Sequence, residues 1–537
     1  MPRMFFPQYK RGRNGVECFE GTILDHAREL GIELAAECGG RGQCRRCIVR
    51  VERGAEALAV KTTAELEANL SEAERLACQA RVVAPADIRV YAKVGTAYTI
   101  LVSSQHQAVD LAPLTYRRGE SVVRRTAGVE EVLGPYRDGI YGLAIDVGTT
   151  TLVFEVVDLE SGATLAALAQ RNPQAAYGDD VISRIGYTRE HEGGLAELQA
   201  VVVNAINDAL AQWEQDNQQV TDRVYEVTVV GNPTMRDIFF GIDVSSLGVI
   251  PFQPESTQAV ERAASDLGLR LHRAAQVYGG PLIGGHAGAD AVADVLASGT
   301  HARKHPSMVV DIGTNGEVIV GNREKMLAAS CAAGGAYEGA AVSCGVGALQ
   351  GAITNVVLKD GHVSYETIGG RPPIGLCGSG LIDLLAELLR AGLMTTAGKL
   401  TTPNRDFLVN GAAGLVLTQD DVNNLMVARA GMSLDQKALI DRWGITTAEI
   451  KHVYLAGAFG NYVSTESAAR IGLLPDIPDR LVKLGNAALE GSRLMLLSGA
   501  KRREAEEVAR RIEHIRPNED SGFFDALVDR MCFKTWR

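Results

Sequence analysis

Two segments of this chain carry the same pattern, YGLAIDVGTTTLVFEVVDLESG at 141–162 and MVVDIGTNGEVIVGNREK at 308–325. Each is an apolar strand, then Asp, an apolar residue, Gly and Thr, then a second apolar strand. Two halves that open with the same strand–turn–strand imply two similar subdomains facing each other. A glycine turn between strands offers backbone N–H groups to a phosphate with no side chain in the way. One D-x-G-T carries little weight. Two copies, followed by LAGAFGNYV at 455–463, carry far more.

Other Gly-rich segments lie in the same region. GGPLIGGHAGADAVADVLASG (279–299) reads as a small-residue helix, with His286 structural in it. CAAGGAYEGAAVSCG (331–345) reads as a nucleotide-facing segment, and GLCGSGLIDLLAELL (375–389) as a Gly loop feeding an apolar helix whose N-terminus lies near nucleotide. Residues 487–515 read as a helical return closing the second half.

The first 95 residues differ in style. Cys38-x5-Cys44-x2-Cys47, with Cys78 remote, fits no zinc pattern, because structural zinc prefers paired C-x2–4-C knuckles. Three thiolates from one wrapped loop and a fourth from afar is the logic of a [2Fe–2S] site. Gly39, Gly40 and Gly42 let the backbone curl and aim N–H groups at sulfide. Around the loop, two short strands (5–9 and 16–19), a helix capped by Thr22 and Asp25, and later strands, one of them over 85–94, give the order of a β-grasp domain. Cys18 reads as a packed strand residue. Arg41, Arg45 and Arg46 read either as a solvated loop or as a docking face for an acidic redox partner.

Length and composition set the bounds. The 537 residues suit two to four domains, and a 46% hydrophobic, 22% charged composition is that of a globular chain. The net charge of −11 argues against a nucleic-acid partner. No run of 18 apolar residues suggests a membrane span, and MPRMFFPQYKRGRNG lacks the core of a signal peptide, so the expected location is cytoplasmic. In that compartment clustered cysteines point to metal or catalysis, while Cys331, Cys344 and Cys377 read as small buried residues. The expected organisation is an α/β multidomain chain: ferredoxin-like domain 1–95, linker 96–140 with room for one strand or helix, first ATPase subdomain 141–305 and second 306–537.

The two turns and LAGAFGNYV together resemble the actin / sugar kinase / Hsp70 (ASKHA, ribonuclease H-like) superfamily. That resemblance implies ATP in the cleft between the halves, with Mg²⁺ on its phosphates. It assigns Asp146, Gly148, Thr149, Thr150 and Thr151 to the first phosphate turn, and Asp311, Gly313, Thr314, Asn315 and Gly316 to the second. Gly457, Ala458, Phe459, Gly460 and Asn461 would approach the adenosine, and Gly334, Gly335 and Glu338 could face ribose or base.

A ferredoxin-like domain ahead of such an ATPase resembles the reductive activators of corrinoid proteins over nearly the full length. Two departures stand out. Larger members carry an additional region before the ATPase, whereas here about 45 residues intervene, and the tail FFDALVDRMCFKTWR has a single cysteine where another branch carries two [4Fe–4S] clusters. The resemblance implies one-electron reduction of an inactive Co(II) corrinoid protein of a methyltransferase system to Co(I), driven by ATP. The electron would leave a [2Fe–2S] cluster on Cys38, Cys44, Cys47 and Cys78 that an upstream low-potential donor has reduced. Asp146 would position water or the Mg²⁺ shell, and Asp311 would hold Mg²⁺ through water. Two rivals stay open: a redox-regulated small-molecule kinase, and a cluster-dependent binding module with negligible turnover. Homodimerisation is also left open.

Overall fold

The computed structural model describes residues 2–6, 14–30, 32, 34, 42, 47–68, 70–92, 106–178, 180–215, 220–313, 315–331, 335–339, 342–348, 350–359, 361–457 and 462–537. The N-terminal domain comprises Arg3–Phe5 (β1), Val16–Glu17 (β2), Ile23–Glu29 (α1), Ile48–Arg53 (β3), Thr63–Glu67 (α2), Glu74–Leu76 (β4) and Ile88–Ala92 (β5). Its mixed sheet has the order β2-β1-β5-β3-β4, with β1 parallel to β5, which is a β-grasp. Thr22 and Asp25 form a complete capping box on α1, as the sequence suggests. Met4, Phe6, Ile23, Val49, Ile88 and Val90 close its core.

Residues 115–135 depart from the expected linker. Thr115–Arg118 (β6), Ser121–Thr126 (β7) and Val129–Pro135 (β8) form an antiparallel meander. The chain there is rich in charge, and what anchors it is mostly ionic. Glu226, fully buried, accepts from Thr115 Oγ1 at 2.7 Å, Arg124 Nε at 2.6 Å and Arg502 Nη2 at 2.9 Å. Burial alone would raise its carboxyl, but the two guanidiniums outweigh that and hold it below the ordinary range.

The first half runs through Tyr141–Val147 (β9), Thr151–Asp158 (β10), Thr164–Arg171 (β11), Val181–Glu190 (α3), Gly194–Gln215 (α4), Val224–Val230 (β12), Pro233–Phe239 (α5), Val260–Ala263 (β13), Gln276–Gly279 (β14) and Ala289–Ser298 (α6). Its sheet order is β11-β10-β9-β12-β14-β13. The helix expected over 279–299 forms only in its second half. Gly284 and Gly285, both at positive φ, hold a tight turn before it.

The second half has Ser307–Ile312 (β15), Gly316–Gly321 (β16), Met326–Cys331 (β17), Ala352–Lys359 (β18), His362–Thr367 (β19), Gly375–Leu376 (β20), Gly378–Arg390 (α7), Asp406–Asn410 (β21), Leu415–Thr418 (β22), Gln419–Trp443 (α8), Val453–Ala456 (β23), Thr465–Arg470 (α9), Leu481–Gly485 (β24), Ala487–Leu497 (α10), Gly499–Arg511 (α11), Ile512–His514 (β25) and Phe523–Arg530 (α12). Its main sheet is ordered β24-β23-β15-β16-β17-β25.

The two main sheets share a plan. In each, an antiparallel hairpin and third strand (β9-β10-β11; β15-β16-β17) is extended from its first strand by two parallel strands (β12, β14; β23, β24). The sequence duplication is therefore a structural one. The C-terminal return differs from expectation in where it lands. Helix α10 packs on β9 and β12 of the first half as well as on α6, with Thr228 Oγ1 donating to the Ser492 carbonyl at 2.9 Å.

Candidate functional site

In the β-grasp domain, Cys47 at the foot of β3 and Cys78 just past β4 are buried, with their sulfurs 3.3 Å apart and no disulfide between them. Two thiolates on one tetrahedral metal at about 2.3 Å would lie about 3.8 Å apart. The pair therefore fits the donor set of a metal–sulfur centre. Gly42 has φ +76°, a left-handed backbone conformation that favours glycine, and it lies beside the Gln79 side chain. Gln79 Nε2 in turn lies 3.6 Å from Cys78 Sγ. Cys38, Cys44, Gly39, Gly40, Arg41, Arg45 and Arg46 lie outside the described residues. Cys18 is half-buried just past β2, packed on the domain core with its thiol directed to the Ala86 carbonyl; it packs as expected but outside the strand.

The first glycine turn follows β9. Its carbonyls are tied down from behind: Gly148 O accepts from Asn172 Nδ2 at 2.8 Å, Thr149 O from Arg184 Nη2 at 2.6 Å, and Thr150 O from the Asn172 N–H at 2.8 Å. Arg184 is fully buried. A Cβ on Gly148 would sit 2.6 Å from the Thr151 carbonyl. Thr149 is itself 4% exposed and its hydroxyl accepts from Asn232 Nδ2 at 3.0 Å, so its side chain braces the turn. Carbonyls bound from behind are what a turn needs in order to offer N–H groups to a phosphate.

The second turn follows β15. Gly313, Asn315 and Gly316 are in place, and Thr314 lies outside the described residues. Asn315 Nδ2 is buried with no partner among the described residues, an orphan donor in a turn of phosphate-binding type. Gly457 ends β23 at φ +105°, where a Cβ would meet the Ile312 carbonyl at 2.7 Å and Asp311 Oδ1 at 2.8 Å. The start of the third motif, at Gly457, thus lies against the base of the second turn. Ala458, Phe459, Gly460 and Asn461, Gly334, and the side chain of Glu338 lie outside the described residues, whereas Gly335 is buried at φ +64°.

Between the turns stands a group of carboxyls larger than the two expected aspartates. Asp146 accepts from Asn486 Nδ2 at 3.0 Å; burial pushes its carboxyl up to about 6 and that hydrogen bond pulls against the rise. Asp290, in the first turn of α6, is pushed up to about 8 by burial and then by the fields of Asp146 and Asp311. Asp294, one turn further along α6, is fully buried with neither oxygen hydrogen-bonded among the described residues, and is raised well above the carboxylate range by burial, Asp311 and Asp290. Such a cluster stays ionised only with a cation nearby. Among the described residues no three His, Cys, Asp or Glu side chains converge tightly enough to grip an ion directly. The chemistry of the set suits a divalent cation held through its waters and through a nucleotide's phosphates.

Asp290, Asp294, Asn486 and the bracing residues Asn172, Arg184 and Asn232 are missed by the sequence reading. The one available signal was the Asp-x3-Asp spacing in GADAVAD, which puts two acids on one helical face. His286 sits under Phe252 with its ring centroid 6.0 Å away, and burial lowers its pKa. Cys344 and Cys377 are buried, and Cys331 faces Asp435.

Three family models match in succession: the 2Fe-2S iron-sulfur cluster binding domain over residues 12–83, the RACo middle region over 141–303, and the C-terminal domain of RACo, the ASKHA domain, over 305–536. The corrinoid activation enzyme RamQ of Eubacterium limosum is 29% identical over 96% of both chains. The [Co(II) methylated amine-specific corrinoid protein] reductase of Methanosarcina barkeri is 27% identical over 70% of this chain and 73% of that one. Among solved structures, a reductive activator for corrinoid, iron–sulfur protein superposes with a TM-score of 0.74 at 28% identity, covering 100% of this chain and 99% of the other.

Proposed function

The chain belongs to the family of reductive activators of corrinoid proteins, and from that premise we propose that it reduces the inactive Co(II) form of a methyltransferase corrinoid protein to Co(I) at the expense of ATP. The carrying observation is the pairing, in one chain, of two adjacent buried thiols with two glycine turns, the first tied down from behind, beside a cluster of buried acids. Neither part alone would couple electrons to a nucleotide.

A [2Fe–2S] centre on Cys38, Cys44, Cys47 and Cys78 supplies a one-electron donor near −400 mV, on the order of plant-type ferredoxins. An uphill gap of about 100–200 mV costs about 2–5 kcal/mol per electron. ATP can offset it only through two conformations of differing affinity. The protein's own residues would do the following. The turns at Gly148–Thr151 and Gly313–Gly316 bind the phosphates through backbone N–H groups, with Asn315 adding its side-chain donor. Asp311 holds the cation's water shell. Asp146, oriented by Asn486, fixes the attacking water, and Asp290 stands across from it as an acid able to lose a proton near neutral pH.

The test is anaerobic: the reduced protein is mixed with a Co(II) corrinoid protein from the same source, and Co(I) absorbance is followed with and without MgATP. Co(I) that appears only with MgATP supports the proposal. Hydrolysis without Co(I), together with phosphate transfer to a metabolite, would favour a kinase and sink it.

A further inference from the structure

Residues 106–114, which lead from the cluster domain to the meander, lie as a strap along α10. The Gln107 N–H donates to Glu490 Oε1 at 2.8 Å, and Arg493 Nη2 donates to the Gln107 carbonyl at 2.9 Å. Glu490 and Arg493 also pair with each other at 2.8 Å and are 2% and 3% exposed. A buried ion pair thus grips both backbone polar groups of one residue. Further along, the Ala112 N–H donates to the Leu497 carbonyl and its carbonyl accepts from the Gly499 N–H, each at 3.0 Å. The Gln107 side chain reaches the other way and donates to the carbonyl of Ala297, near the end of α6.

Gln107 therefore touches two helices at once, and these are the helices that carry acids and their orienter in the nucleotide cleft. Asp290 and Asp294 sit on α6, while α10 starts at Asn486, the donor to Asp146. The helices cross closely, since a Cβ on Gly491 would fall 2.4 Å from the Ala293 carbonyl. Closely packed helices shift by small shear movements, and here Val292, Val295 and Leu296 of α6 share a core with Leu494 and Met495 of α10. Such a shift must then strain Gln107, whose backbone is fixed to α10 and whose side chain is fixed to α6.

We propose that Gln107 is a positioning residue that ties the α6–α10 crossing to the strap leading to the cluster domain, so that nucleotide binding in the cleft alters how that domain is held. This deepens the ATP-dependent reductase reading, on which it rests. No bond is made or broken in the step; it is a change in packing that both sites bias.

The test uses the full chain, anaerobically, in two arms. Hydrogen exchange of residues 106–114 is measured with and without a non-hydrolysable MgATP analogue, and ATP hydrolysis and Co(I) formation are measured in Gln107→Ala and Arg493→Lys. The expected result is that the analogue slows exchange of the strap by about fivefold or more in the wild type, and that both variants lose this response. Hydrolysis stays within about twofold while nucleotide-dependent Co(I) formation falls about tenfold, a coupling loss within the usual range. Strap exchange indifferent to nucleotide in the wild type, or variants that keep full nucleotide-dependent reduction, would overturn the proposal. A wild type whose strap responds while no Co(I) forms would uphold the coupling and defeat the reductase reading, so the two can be told apart.

Discussion

Asp146 shows how much of this site turns on single side chains. Its carboxylate ends a buried strand, is oriented by Asn486, and stands beside a glycine turn braced by Arg184 and two asparagines. Asp146→Asn keeps the shape and removes the charge. It should leave the iron–sulfur spectrum unchanged and lower ATP hydrolysis and ATP-driven reduction by about 10²-fold or more, as measured by phosphate release and Co(I) absorbance. Asp435 offers a test of burial away from the cleft. Burial pushes its carboxyl up to about 7, and the hydrogen bond with Cys331 opposes this only in part. A carboxyl raised in the folded state contributes stability that is fully present below its unfolded value, near 4, and is lost as pH rises through about 7. Thermal scans of the nucleotide-free protein should show stability falling between about pH 4 and 7, by up to about 4 kcal/mol from this group. Asp435→Asn should flatten that slope, and an unchanged slope would refute the assignment.

At the scale of elements, the crossing of α6 and α10 is a close joint between the halves. Gly491→Ala places a methyl against the Ala293 backbone, at distances no real Cβ adopts. It should cost about 1–3 kcal/mol of stability and reduce ATP hydrolysis, read by thermal scan and phosphate release; an unaltered melting temperature would show that the joint is looser than drawn. The legibility of the elements follows the same physics. The paired strand–turn–strand units were readable because glycine spacing and apolar runs are local, and the cluster-loop spacing was readable for that reason too. The acids of α6 were not, because their role comes from convergence with Asp146 and Asp311, from other elements, and GADAVAD alone looks like an ordinary small-residue helix. The meander at 115–135 was missed because its anchor, Glu226, lies about a hundred residues away and holds it by charge, while Val122, Val123 and Leu133 are its few buried apolar residues. The landing of α10 on the first half was hidden likewise, since its apolar residues could have packed on either sheet.

At the scale of the whole molecule, the β-grasp core and the two ATPase cores are separate sets of residues. Loss of the cluster should therefore leave the nucleotide machinery standing. Cys78→Ser should abolish the iron–sulfur absorbance and all Co(I) formation, while nucleotide affinity by calorimetry stays within about twofold, since the residues that pack each core are distinct among those described. Loss of nucleotide binding in that variant would show a dependence between the domains that the separate cores do not suggest.

The central claim is that one electron leaves the cluster for cobalt only when nucleotide occupies the cleft. Rapid mixing of the cluster-reduced protein with a Co(II) corrinoid protein, monitored at iron–sulfur and Co(I) wavelengths together, tests it most directly. The account predicts that with MgATP the cluster oxidises and Co(I) rises at one shared rate in a one-to-one ratio, and that without MgATP neither signal moves. Co(I) formation without cluster oxidation, or at the same rate without nucleotide, would contradict it.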